Sequence, residues 1–212
     1  IEIAINLRST KLIIIYFFTG FISITSLLFF LATLLDRQID NMSEKENWVK
    51  HTQKVLNETE LSVSLLKEAE SAVRGYLLTN DSSFLKPFDK IKPQIILHID
   101  SLNILTSDNS FQKLKVENLK SESLNRLSFL DYLLHHSHYL ITNNDSLKKR
   151  MILGKKSMDQ VRKYYQDITD HEKILLKKRL IDLNEANLKT EYWILYFKLI
   201  ILSIAIITAA LI

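Results

Sequence analysis

The sequence contains no cysteine, and it has only three glycines and two prolines in 212 residues. The absence of cysteine excludes disulfides, thiol catalysis and thiolate metal sites. The scarcity of glycine argues against a phosphate-binding loop, and no nucleophile elbow, kinase motif or pair of catalytic acids is present. The sequence therefore indicates no catalytic residue, no cofactor and no metal of high specificity, and it leaves open whether the parent protein is an enzyme.

Two long apolar runs bracket the chain. Residues 12–35 include no charged residue, and as a helix this run would extend about 36 Å, enough to cross a bilayer core of about 30 Å. Residues 192–212 form a second run. The first run is longer than a signal-peptide core and lacks a small-x-small cleavage site, so we interpret it as a retained anchor. We expect the lipid bilayer as a partner, and we interpret the chain as the front part of a longer protein, interrupted near its second crossing.

The distribution of charge suggests a topology. Arg8 and Lys11 flank the first run, so we expect residues 1–11 to form a cytoplasmic tail and residues 36–191 to lie outside the membrane. Apart from Glu2, Arg8, Lys11 and Lys198, every charged residue falls within residues 36–191, where both signs are interspersed. No basic block stands without nearby acids, so nucleic acid is not an expected partner.

The scarcity of helix breakers and the three-to-four spacing of apolar residues predict an all-α fold. Turn residues at 79–83, 107–110 and 143–146 divide residues 36–191 into four helices, which predicts an up-down four-helix bundle. We expect Pro87 near the start of the second helix, a kink or restart at Pro93, and a third helix from about 111 to 142.

Two buried stripes are predicted in this bundle. The stripe of the first helix contains Leu61, Leu65, Ala69, Ala72 and Tyr76, and that of the fourth contains Met158, Val161, Tyr165, Ile168 and Leu175. The first and fourth helices are expected to continue into the two membrane helices and to extend beyond the shorter inner pair as a two-helix stalk. Two helices cannot bury their apolar faces alone, so this arrangement predicts a homodimer.

Two groups of polar residues are candidate sites. Glu70 and Arg74 have the acid-first i, i+4 spacing of a helical ion pair, and Gly75 would cost about 1 kcal/mol in a helix unless a close helix contact offsets it. His135 and His138 share a helix face, with Asp131 four residues before His135. No acid lies one turn beyond, so the pattern favours an exposed polar patch over a metal site.

Several segments resemble the CHASE domain of the third type, the cyclases/histidine kinases associated sensory extracellular domain. They are residues 48–56, 68–81, 84–88, 105–109 and 154–162, with Glu172, Leu175, Leu176 and Arg179 as a closing motif. The resemblance covers about residues 45 to 180. It implies an extracytoplasmic helical sensor between two crossings of the bacterial inner (cytoplasmic) membrane, joined to a cytoplasmic output module, with a small molecule or protein of the periplasm as ligand.

In this family the output module is most often a histidine kinase, so the leading hypothesis is the input region of a two-component sensor kinase that relays bundle rearrangement through the second membrane helix. The alternatives are a chemoreceptor-like or diguanylate cyclase receptor ectodomain, or a docking module without catalytic output. The family-signature residues are predicted to be structural; they are Glu70, Arg74, Gly75, Tyr76, Gly154, Met158, Asp159 and Arg162.

Overall fold

The structure is a computed structural model that describes residues 2–107 and 109–211, with side chains described over 14–107 and 109–210. Its elements are helix α1 (Glu2–Thr79), a 3₁₀ turn (Ser82–Leu85), α2 (Phe88–Leu105), α3 (Ser110–His135), the short α4 (Ser137–Thr142) and α5 (Asn144–Leu211). No strand occurs in this part of the chain, and the predicted all-α class, with long first and last helices that continue into the apolar runs, is confirmed.

The three predicted turns are present, and in each an Asp or Asn side chain accepts a hydrogen bond from a backbone N–H. Asp81 accepts from the N–H of Ser83 at 2.8 Å before the 3₁₀ turn, and this bond lowers the pKa of the Asp81 carboxyl. Asn109 accepts from the N–H of Gln112 at 3.2 Å at the start of α3, and Asn143 accepts from the N–H of Ser146 at 3.0 Å at the start of α5. These caps satisfy N–H groups that have no partner within the helix.

Two predicted helix details are wrong. The third helix does not continue to residue 142, because His136 leaves the helical conformation (φ −102°, ψ 13°) and α4 begins after it. At this break Nδ1 of His136 lies 2.9 Å from the carbonyl oxygen of Tyr132. Of the two alternatives for Pro93, the restart is wrong, because α2 begins directly after Pro87 and runs through the exposed Pro93, and the kink stays a prediction.

Residues 48–179 form one compact unit with a continuous apolar core. The predicted stripe of α1 is only partly right: Ala69 and Ala72 are buried, but Leu61 is 37% exposed. The central series of buried positions in α1 recurs every three or four residues and consists of Val55, Thr59, Ser62, Leu66, Ala69, Val73 and Leu77. Thr59 and Ser62 satisfy their hydroxyls by donating to carbonyls of their own helix, at 2.7 and 2.9 Å, so they occupy core positions that a search for apolar residues overlooks.

The predicted stripe of α5 is confirmed. Met158, Val161 and Ile168 are buried, and Tyr165 and Leu175 are half-buried. The Tyr165 hydroxyl donates a hydrogen bond to Glu60 of α1, which raises the pKa of the phenol because the carboxylate opposes its ionisation. The apolar face of α5 thus packs into the core, while Tyr165 at the edge of that face donates a hydrogen bond to α1.

Residues 2–47 and 180–211 belong to a second unit, formed by the outer parts of α1 and α5. Within it Ala186 and Thr190 of α5 are buried, and the Thr190 hydroxyl lies 3.4 Å from the carbonyl oxygen of Gln38 in α1. By length and composition α1 and α5 are each apolar enough to cross a membrane. Most large apolar side chains described for these segments are exposed, as expected of surfaces that face lipid.

Candidate functional site

The central polar feature of the unit 48–179 is a buried ion pair between α1 and α3. Nη2 of Arg126 lies 3.0 Å from Oε1 of Glu70, and these residues are only 1% and 7% exposed. The same Glu70 oxygen also pairs with Arg74, one turn further along α1, whose side chain is 43% exposed. The predicted i, i+4 pair is present, but it is one half of a three-residue cluster (Glu70, Arg74 and Arg126).

Burial dominates the electrostatics of this cluster. It lowers the pKa of the Arg126 guanidinium, and the carboxylate of Glu70 opposes that shift while the nearby Arg74 adds to it. Nε and Nη1 of Arg126 are buried without a hydrogen-bond partner among the described residues. The cation is therefore held in the core chiefly by one carboxylate, and removal of that partner would cost about 3–5 kcal/mol.

Two glycines of the family signature lie against side chains that leave no room for a methyl group. A Cβ on Gly154 of α5 would lie 2.5 Å from Nη1 of Arg126, so this glycine makes space for the buried guanidinium. A Cβ on Gly75 would lie 2.8 Å from Cε1 of Phe84 in the 3₁₀ turn. The close contact expected at Gly75 is thus to the following turn, and it offsets the low helix propensity of glycine.

The other signature residues divide between core and surface. Met158 is buried, and Tyr76 is half-buried and packs against the core. Asp159 and Arg162 are exposed and form an i, i+3 ion pair with 3.0 Å between Oδ1 and Nη1. Such a pair contributes about 0–1 kcal/mol. The structure brings Glu70, Arg74 and Gly154 together around Arg126, and it does not bring the Asp159–Arg162 pair into this cluster.

A second polar cluster joins the start of α3 to the middle of α5, near residue 48 of α1. Gln112 and Glu172 are 1% and 4% exposed, and Nε2 of Gln112 donates a hydrogen bond to Oε1 of Glu172. Arg179 donates to the hydroxyl of Thr52 and, at 3.3 Å, to the carbonyl oxygen of Trp48, whose ring its guanidinium covers at 4.8 Å. A cavity of about 30 Å³ lies beside Glu172 and Arg179, a volume sufficient for a water molecule but not for an organic ligand.

The histidines of the predicted cluster lie at the opposite end of the unit. His135 and His138 are both exposed, and Nδ1 of His135 lies 2.8 Å from the carbonyl oxygen of Asp131 rather than from its carboxylate. That carboxylate pairs with Lys92 of α2. Within the described residues no group of three His, Asp or Glu side chains is arranged to hold a metal ion. The metal assignment of His135 and His138 stays a prediction without support from this geometry.

Two larger cavities also lie at this end. One, of about 400 Å³, is open to solvent beside the 3₁₀ turn and is lined by Glu68, Ser71, Ala72, Ser83, Phe84 and Pro87. The second, here called the α3–α5 pocket, has a volume of about 320 Å³ and is lined by Tyr132, His136, Tyr139, Leu140, Ser146, Lys149, Arg150 and Leu153. Both have the size of small-molecule sites.

Arg126 and Gln112 were not among the predicted site residues, although the sequence carries a signal for both. Gln112, Leu119, Arg126 and Leu133 follow one another at intervals of seven, and all four are at most 1% exposed. Residues seven apart lie on one face of a helix, so a polar or charged residue in register with leucines marks a buried polar contact. Because Gln112 and Arg126 are polar, a prediction from residue type alone does not place them in the core.

The fold and these clusters define a helical bundle whose outer helices have the properties of membrane spans. A family model described as the CHASE3 domain matches residues 45–182, and the chain belongs to this family. It is accordingly a membrane protein with a sensory extracellular domain of the kind found in signal-transduction proteins. No curated protein and no solved structure shows significant similarity to the chain.

Proposed function

We propose that the chain is the signal-input region of a bacterial sensor histidine kinase of the inner (cytoplasmic) membrane. In this proposal residues 12–35 and 192–212 cross the bilayer, residues 36–191 lie outside it and residues 1–11 lie in the cytoplasm. One observation carries the proposal: the two candidate membrane helices bracket the CHASE3 match, and α5 runs without a break from the matched residues into the second apolar run.

The unbroken α5 supplies the relay. A stimulus that alters the packing of the bundle displaces α5 relative to α1, and a continuous helix carries that displacement as a rigid body toward the cytoplasm. A proline at Leu183 removes one hydrogen bond and clashes with the preceding turn, at a cost of about 3 kcal/mol, so it should disconnect the two ends of α5. The matched control is Leu183→Ala, which keeps the helix intact.

The relay is tested without knowledge of the stimulus by using Gly154→Ala to disturb the bundle. The measurement is the rate at which membranes that contain the full-length natural protein incorporate phosphate from ATP. We expect Gly154→Ala to change this rate in the native and Leu183→Ala backgrounds but not in the Leu183→Pro background. An equal response in all three backgrounds would refute the relay. A full-length protein that incorporates no phosphate would refute the kinase assignment in favour of a chemoreceptor, cyclase or docking role.

The topology has its own test, which the absence of cysteine makes simple. Ser64 is exposed in the unit 48–179, and Asn6 belongs to the N-terminal tail of the sequence. A membrane-impermeant maleimide should label Ser64→Cys in intact spheroplasts and should label Asn6→Cys only after the membrane is opened. Labelling of Asn6→Cys first would reverse the proposed orientation.

A homodimer is part of the proposal, and the surface of α5 supports it. Ile181, Leu188, Leu195 and Leu202 recur every seven residues and are 46–57% exposed. Thr190, which packs toward α1, lies about 200° around the helix from Leu188. Apolar residues recur every seven positions where two helices pack side by side. Contact with lipid would account for the exposure of Leu195 and Leu202, which lie in the second apolar run, but not for that of Ile181 and Leu188. The stripe is therefore a suitable contact for a second copy.

Disulfide cross-linking tests the dimer directly. Ile181→Cys and Leu188→Cys should each give a covalent dimer on mild oxidation of membranes. Lys189→Cys is the matched control, because Lys189 is exposed on the same helix but points about 100° away from Leu188. Equal cross-linking at all three positions would indicate random collision and contradict the seam.

A further inference from the structure

The α3–α5 pocket has a strongly one-sided charge. Lys149 and Arg150, both from the second turn of α5, supply two fixed cations, and none of the lining residues is an acid. Over the described part of the chain, neither has a carboxylate within ion-pair distance. Asp131 of α3 is already paired with Lys92, and Asp145, one turn before Lys149 on α5, forms no ion pair with it. Neither cation of the pocket is thus held in an ion pair by a neighbouring side chain.

Aromatic rings supply the walls of the same pocket. The Tyr132 ring stacks on His136 with 4.2 Å between ring centroids, and the Arg150 guanidinium lies 4.9 Å from the Tyr132 ring. These contacts hold the cation and the rings in a fixed arrangement. The rings of Tyr132 and Tyr139 are still 36% and 57% exposed, so they leave apolar surface available to a bound molecule.

Hydrogen bonds also fix the polar end of Tyr139. Its hydroxyl accepts a hydrogen bond from Nδ2 of Asn143 at 3.1 Å and lies 3.3 Å from the hydroxyl of Ser146. Asn143 caps the N-terminus of α5 by accepting a hydrogen bond from the N–H of Ser146, and the helix dipole adds partial positive charge there. The pocket therefore combines two cations, an oriented hydroxyl and two ring faces.

We propose that the α3–α5 pocket is a binding site for a small soluble organic anion, one that carries a carboxylate or phosphate group on an apolar or aromatic body. Arg150 and Lys149 would bind the oxyanion, since a guanidinium and an ammonium both donate to carboxylate and phosphate oxygens. Tyr132, Tyr139 and Leu153 would cover the apolar body. The volume of about 320 Å³ limits the ligand to a small molecule. Its role as the sensory stimulus rests on the proposed function, whereas the site itself does not.

The test is calorimetric titration of the full chain in detergent micelles with benzoate and with phenyl phosphate, and with neutral benzamide for comparison. We expect saturable binding of at least one anion, with a dissociation constant on the order of 1 mM or tighter, and no saturable binding of benzamide. Binding should weaken at least tenfold in the double variant Lys149→Gln/Arg150→Gln. The matched control is Lys155→Gln/Lys156→Gln, which removes the same charge from exposed positions of the same helix and should bind as the native chain does.

A second variant separates loss of the site from loss of the fold. Leu153→Trp keeps both cations but fills the space between the rings, and it should also abolish binding. Failure of both anions to bind the native chain would overturn the proposal, as would equal binding of benzamide or an equal loss in the control variant. Each of these results concerns binding alone, so the relay test with Leu183→Pro would still decide the proposed function.

Discussion

The substitution Gly154→Ala tests the buried ion pair most directly. Glycine in the interior of a helix is normally less stable than alanine by about 1 kcal/mol, so helix propensity alone predicts that this change stabilises the protein. The structure predicts the opposite. A Cβ at this position would lie 2.5 Å from Nη1 and 3.1 Å from Nη2 of Arg126. The guanidinium must then move, although it is almost fully buried and paired with Glu70.

The magnitude follows from these opposing effects. Movement of the guanidinium away from Glu70 leaves a buried charge without its partner, which costs about 3–5 kcal/mol. Subtraction of the gain of about 1 kcal/mol in propensity leaves a net loss of about 2–4 kcal/mol. For a domain of this size that loss corresponds to a fall in melting temperature of about 6–12 °C.

Fluorescence of Trp48 gives a local measurement of unfolding. The chain has two tryptophans, so Trp193→Phe leaves Trp48, which lies in the unit 48–179 and contacts Arg179, as the only tryptophan of the chain. Gly20→Ala is the chemical control, because no atom would lie within 4 Å of its Cβ.

A double-mutant cycle then separates the cause from other effects. In an Arg126→Met background the displaced guanidinium is absent, so Gly154→Ala should no longer destabilise the unit and should approach the gain of about 1 kcal/mol expected from propensity. If Gly154→Ala stabilises the unit in the native background, or destabilises it equally in both backgrounds, the reasoning from the ion pair is wrong.

Two further substitutions test the other polar contacts. Gln112→Ala removes a hydrogen-bond donor to the buried carboxylate of Glu172 and should lower the free energy of unfolding by about 1.5–3 kcal/mol, whereas the exposed Lys113→Ala should change it by less than about 0.5 kcal/mol. The bond from the N–H of Ser83 lowers the pKa of Asp81, so its contribution is present above the ordinary Asp pKa and is lost as the pH falls through the lower folded pKa. The melting-temperature difference between native chain and Asp81→Asn should therefore be constant above about pH 5 and should change below about pH 4; a difference that changes only above pH 5 would contradict this assignment.

The sequence predicted the turns and the all-α class well because both depend on local chemistry. Asp81, Asn109 and Asn143 each accept a hydrogen bond from a nearby N–H, so the residues themselves carry the information. The break at His136 was missed because residues 135–138 contain no glycine, proline or asparagine that would mark it. Histidine has no strong preference for such a position, so its type gave no warning.

The stripe of α1 shows why burial was harder to predict than helix formation. Leu61 is apolar but exposed, whereas Thr59 is polar and fully buried. A threonine in a helix can donate to a carbonyl of the preceding turn, and this bond allows it to enter a core at little cost. A search for apolar residues therefore shifted the stripe around the helix toward Leu61. The pattern of seven, continued through polar residues, gives the correct face.

The position of Arg126 suggests why this bundle retains a buried charge at all. A well-packed apolar group at such a site often gives equal or greater stability, so the pair with Glu70 is weak as a source of stability. The pair does, however, join α1 to α3. The guanidinium of Arg126 also lies against Gly154 of α5, which has no side chain to displace it. A helix that slid by one turn would separate the charges and would bring a side chain against the guanidinium. Apolar stripes with a regular period tolerate such a slip far better, so the Glu70–Arg126 contact fixes the register of three helices in a bundle whose proposed signal is a displacement of one of them.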